Sequence, residues 1–103
     1  MPGPAAKRAY RCVVVNIKPG NPTPAVDLDP VRVSCGRNDE VVWECDSDFQ
    51  VIFDPADCPF KNNNFDQSNN RSGPARGPSR GKPYKYTVKA GGGTLDPDTI
   101  VDP

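Results

Sequence analysis

Val31-Arg-Val-Ser-Cys-Gly-Arg-Asn-Asp-Glu-Val-Val-Trp43 is the stretch that decides the fold. Val31, Val33 and Cys35 alternate with Arg32 and Ser34, the period of two that belongs to a strand with one buried face. Gly36-Arg-Asn-Asp39 has the residue types of a turn. Alternation then resumes, with Val41, Trp43 and Cys45 on one face and Val42 and Glu44 on the other. Two such strands around a turn make sheet, and Trp43, the sole tryptophan, is the expected centre of the core.

The same pattern extends in both directions. Before it, Arg11 to Ile17 is β-branched and apolar on both sides, which suits a central strand. Lys18 to Pro30 carries Pro19, Pro22, Pro24 and Pro30, so it reads as a loop with at most an edge strand around Val26 to Leu28. After Asp46-Ser-Asp48, Phe49, Val51 and Phe53 share one face of a further strand. Strand character returns at Tyr84, Tyr86 and Val88, and after Gly91-Gly-Gly93 and Leu95-Asp-Pro97 a last strand spans Thr99 to Val101. Only two leucines occur, Leu28 and Leu95, which argues against a helical bundle. With 13 prolines and 9 glycines in no regular period, the expectation is an all-β chain built as a two-sheet Greek-key sandwich of six or seven short strands.

At 103 residues one domain is expected, spanning residues 10–103 behind a disordered tail at residues 1–9. The exception to regular pattern is residues 54–83. This stretch holds Pro55, Pro59, Pro74, Pro78 and Pro83 and the run Asn62-Asn-Asn64. It reads as a long irregular loop, pinned in its first half by Phe60 and Phe65 and without an apolar anchor beyond Ala75 from Gln67 to Lys82.

The order Val31-x-Val33…Asp39-Glu-Val41-Val-Trp43, then Asp48-x-x-Val51-x-Phe53, then Tyr84-x-Tyr86-x-Val88, resembles a cupredoxin-like domain over roughly residues 10–102. An immunoglobulin-like sandwich is the close alternative. The resemblance implies a copper ligand near Phe49 and Gln50, and a cysteine and a second imidazole between Thr87 and Gly93. The chain contains no histidine and none of these positions offers a ligand, so no copper-binding residue carries over. The expectation is a metal-free domain with no cofactor.

Charge and chemistry narrow the function further. Thirteen basic and thirteen acidic residues cancel, but unevenly. Asp27 to Asp57 contains nine acidic and two basic residues, whereas Lys61 to Lys89 contains seven basic residues against Asp66 alone. The loop residues Arg71, Arg76, Arg80, Lys82 and Lys85 are therefore candidates for an interaction element. Their Arg-Gly spacing also fits nucleic-acid backbone binding, with zero net charge arguing against it.

Without histidine the usual proton carrier is missing, and a non-enzymatic role is expected. Asp46, Asp48, Asp54 and Asp57 lie in turns where carboxylates cap backbone amides, with weak Ca²⁺ binding as the alternative. The four cysteines, Cys12, Cys35, Cys45 and Cys58, fit buried small hydrophobes, disulfide partners or a thiol- or metal-dependent redox role. Cys58, the one outside a clear strand, is the candidate reactive or bridged thiol.

No apolar run approaches a membrane span, and the amino terminus lacks the apolar core of a signal peptide, so a cytoplasmic protein is expected unless a leader has been removed. A non-catalytic interaction or assembly module, with a protein partner or self-association through the basic loop, is the leading expectation. Trp43→Ala, a large-to-small change at the core centre, is expected to cost about 3 to 5 kcal/mol in denaturant unfolding; a loss below 1 kcal/mol would place Trp43 at the surface.

Overall fold

Residues 11–103 are described by a computed structural model; the expected tail at residues 1–9 and the start of the domain at Tyr10 lie outside them. The described residues form nine strands and no helix. They are β1 (Cys12–Lys18), β2 (Ala25–Val26), β3 (Val31–Ser34), β4 (Glu40–Glu44), β5 (Phe49–Phe53), β6 (Asn64–Asp66), β7 (Pro83–Ala90), β8 (Gly93–Leu95) and β9 (Asp98–Asp102). No helix long and apolar enough to cross a membrane occurs among them.

Two sheets result. The smaller has the order β2-β1-β4, with β1 parallel to β4; the larger has the order β3-β9-β7-β5-β6, with β3 parallel to β9. Strand β7 is long enough to serve two partners on one edge, pairing β9 through Pro83 to Lys85 and β8 through Val88 to Ala90. The chain starts in the small sheet, crosses to the large one for β3, returns for β4 and crosses again for β5. Inward residues of both sheets, among them Val15, Trp43, Val33, Val51 and Val88, join in one core.

The residues with alternating pattern behave as their period demands. Phe49, Val51 and Phe53 are buried while Gln50 is exposed, and Tyr86 and Val88 are buried on the same side of β7. Trp43 is fully buried within a group of rings. Phe65 lies 4.9 Å from it and Tyr86 5.8 Å, while Phe53 stacks on Tyr86 at 5.0 Å. Such ring pairs add stabilisation beyond the area they bury. Trp43 Nε1 donates to Tyr86 Oη at 3.4 Å, giving the buried indole N–H its acceptor.

Residues 54–83, expected as one irregular loop, contain the short strand β6, which pairs β5, and run into β7 at Pro83; the irregular remainder is attached along its length. Phe60 and Phe65 are both buried in the core, as the sequence suggested. The second half, which hydropathy leaves without anchors, is held instead by polar bonds. Trp43 N donates to the Asn70 carbonyl at 3.0 Å, Ser72 N to the Val41 carbonyl at 2.9 Å, and Val41 N to Ser72 Oγ at 2.8 Å. These bonds occupy the edge of β4 that β1 leaves open. Further on, Arg76 N donates to the Pro59 carbonyl, and Ser79 brackets Val101 from both main-chain and side-chain atoms.

Gly91 and Gly92, at φ of 69° and 88°, make the two-residue turn between β7 and β8. A Cβ at Gly91 would stand 2.7 Å from the Gly20 nitrogen, and one at Gly93 would strike the carbonyls of Gly20 and Pro22. Close approach of the Pro19–Pro22 segment is therefore why this turn is all glycine.

Burial pushes the Tyr86 phenol up to about 12 from its ordinary 10.0. The folded value lies above the unfolded one, so the native state favours the neutral phenol; this contribution is intact below pH 10 and is lost as pH rises towards 12. Stability measured by urea unfolding is expected to fall by roughly 2 to 3 kcal/mol across that window, and by much less in Tyr86→Phe.

Candidate interaction surface

The acidic middle and the basic loop meet within one molecule. Of the five candidate interaction residues, Arg71 pairs with Glu40 at 2.8 Å, Lys82 with Asp57 at 2.6 Å, and Lys85 with Asp98 at 3.2 Å. Lys82 also sits 4.9 Å above the Tyr84 ring. Arg76 and Arg80 are exposed and form no ion pair among the described residues. The structure thus does not gather the five into one patch of free charge. It leaves Arg76 on a segment fixed by Ser72 on one side and Ser79 on the other, and Arg80 immediately after the second anchor. Arg80 itself takes a positive φ of 54° inside the turn closed by Lys82 N on the Ser79 carbonyl.

Two adjacent acidic residues, Asp39 at the end of the turn and Glu40 at the start of β4, are buried. Asp39 accepts from Ser34 N at 2.8 Å and from Arg11 Nε at 3.1 Å, with its side chain 2% exposed. Glu40 accepts from Arg71 and from Gly73 N. Adjacent acids at the end of a turn carry no hydropathic signal of burial; the only hint is that each has an arginine elsewhere in the chain to neutralise it. Asp54 and Asp66 serve local turns. Asp54 Oδ1 accepts from Ala56 N, and Asp66 Oδ1 accepts from the Ser68 hydroxyl at 2.7 Å, from Ser68 N and from Asn69 N, bonds that hold the Asp66 carboxyl below the usual range, the hydroxyl foremost. No three carboxylates or thiols converge among the described residues.

All four cysteines are free thiols. Cys58 is part-buried, and its S–H donates to the carbonyls of Phe60 and Asn62. Burial pushes this thiol above its ordinary value, an effect larger than the opposing bond from Phe60 and the field of Arg76. Such an environment suits a packed structural thiol rather than a nucleophile.

At the end of the sheet an open depression of about 480 Å³ is lined by Asp48, Gln50, Lys89, Thr94 and the Gly91–Gly93 turn. It brings together the two stretches where the resemblance would place ligands. Its polar groups do not converge on a common point in any hydrogen bond found here.

No known protein family, curated protein or solved structure matches this chain. Its function therefore rests on its own geometry. For Cys58 that geometry makes a definite expectation: modification by a small maleimide at pH 7 should be slow in the folded protein and should still be accelerating above pH 9, measured by mass spectrometry of the Cys58 peptide.

Proposed function

We propose that this chain is a non-catalytic recognition or assembly module, built as a metal-free, cupredoxin-like Greek-key β-sandwich. The fold reading draws support from the three crossings between sheets and from a core shared by both inner faces. Repeated crossing between two layers sets such a chain apart from a simple meander, in which consecutive strands pair within one sheet.

The function reading rests on the 73–81 loop. Hydrogen bonds at Ser72, Arg76 N and Ser79 fix its path, while the side chains of Arg76 and Arg80 point charge outward without an ion pair among the described residues. A pre-shaped loop loses less entropy on docking than a free one, and planar guanidinium groups bind carboxylates in pairs. An acidic surface on another protein is the partner that fits. Residues of the same sequence segment that bear charge for the fold, Arg71, Lys82 and Lys85, are structural in this reading.

The distinction changes the appropriate experiment. Deleting residues 67–82 would strip the edge of β4 and confound binding with folding. The double variant Arg76→Glu/Arg80→Glu leaves every described hydrogen bond of the loop main chain in place. In a pull-down from source lysate it is expected to lose most of the partner recovered by the unsubstituted protein, with an unchanged melting temperature. Equal recovery by both proteins would remove the loop as the binding element; recovery of nucleic acid that falls steeply with salt would replace the protein partner with a polyanion.

A further inference from the structure

Asp48 and Asp66 stand on separate elements, one in the turn before β5 and the other at the end of β6, and the pairing of Gln50 with Asp66 brings them to the same corner of the sheet. Between them lies an open depression of about 520 Å³, lined by Asp48, Phe49, Asp66, Gln67 and Ser68 and by no basic residue. Lys89 borders the adjoining depression instead. Both carboxylates are exposed and able to accept further donors. The bonds to Asp66 from the Ser68 hydroxyl, Ser68 N and Asn69 N all fall on Oδ1, and Asp48 forms no ion pair among the described residues.

This recess and the unpaired arginines occupy opposite ends of the large sheet. Strand β7 begins at Pro83, opposite Ile100 and shortly after Arg80, where Ser79 brackets Val101. It finishes at Ala90, opposite Phe49 and so beside Asp48. Its eight residues span roughly 25 Å, beyond the reach of an arginine side chain, so Arg76 and Arg80 do not meet Asp48 and Asp66 in the same molecule. Each copy therefore carries a cationic segment and an anionic recess that complement one another and that cannot close on themselves. Zero net charge leaves no long-range repulsion to hold two copies apart.

We propose that the acidic partner of Arg76 and Arg80 is a second copy of this chain, with the 76–80 segment of one molecule seated at the Asp48–Asp66 recess of the next. The proposal rests on the recognition reading above and names its partner. A guanidinium placed between two carboxylates makes charge-assisted bonds to both, with a geometry that an ammonium does not reproduce. Little order is lost on docking, because main-chain bonds at Arg76 and Ser79 already fix the segment and Asp66 is held by its own turn. The two surfaces differ, so the contact is head to tail: each molecule gives one arginine segment and receives another.

Sedimentation velocity of the full chain, over a range of protein and salt concentrations, tests this. Self-association is expected at low ionic strength and is expected to weaken roughly tenfold at high salt. Arg76→Gln/Arg80→Gln and Asp48→Asn/Asp66→Asn are each expected to sediment as monomers, and their equimolar mixture to form a dimer that grows no further, since only one intact contact is available. Asp48→Asn alone, which removes no ion pair of the fold, is expected to weaken association and keeps the test decisive where the Asp66 change disturbs folding. An unsubstituted chain that stays monomeric at low salt, or association that survives both pairs of substitutions, overturns the proposal. The recognition reading is judged separately: a monomeric chain whose lysate partner is still lost in Arg76→Glu/Arg80→Glu overturns self-association and assigns the arginines to a different acidic protein.

Discussion

The open edge of β4 is the constraint on which the rest of the structure depends. This strand carries Trp43 inward and Glu40 outward, and β1 pairs only one of its edges. An unpaired N–H or carbonyl beside a fully buried tryptophan costs more than a typical hydrogen bond is worth. Asn70 and Ser72 remove that cost with main-chain bonds, and Asn70 Nδ2 adds a bond to the Trp43 carbonyl at 2.9 Å. The path of residues 70–72 and the placing of Arg71 follow from closing this one edge.

Charge follows the same geometry. The acidic residues of the middle third and the basic residues of the loop look like two poles along the sequence, yet the fold brings them face to face. Glu40 meets Arg71, and Asp57 meets Lys82. Exposed pairs of this kind add little stability, whereas a carboxylate as buried as Glu40 requires its partner. Of these contacts it is the pair at Glu40 that ties the loop to the sheet.

Much of the sheet was legible because burial imposes a period of two. The strands around Val33, Trp43, Val51 and Tyr86 announce themselves by alternation, those around Val13 and Val101 by β-branched runs, and Trp43 marks the core by size alone. Strands β6 and β8 do not, because three residues such as Asn64-Phe-Asp66 are too short to show a period and depend on a neighbour already in place. The anchoring of residues 67–82 was hidden for a different reason. It relies on main-chain groups and on Ser72, Asn70 and Ser79, whose polarity in a sequence looks the same whether they face solvent or close a sheet. Of the candidate site, the residue types were visible but not their partners, so five basic residues with one apparent role divide, among the described residues, into three that form ion pairs and two that do not.

The seal on β4 is three residues long. Any motion that lifts Asn70, Arg71 and Ser72 away would bare the backbone of Val41, Val42 and Trp43 as a ready template for a strand from another chain. Natural sheets guard such edges with charge, and here the guard and the seal are the same segment, since Arg71 rides on it. This edge is therefore a local route to strand pairing between chains, one that release of a single short stretch would open without unfolding of the whole domain.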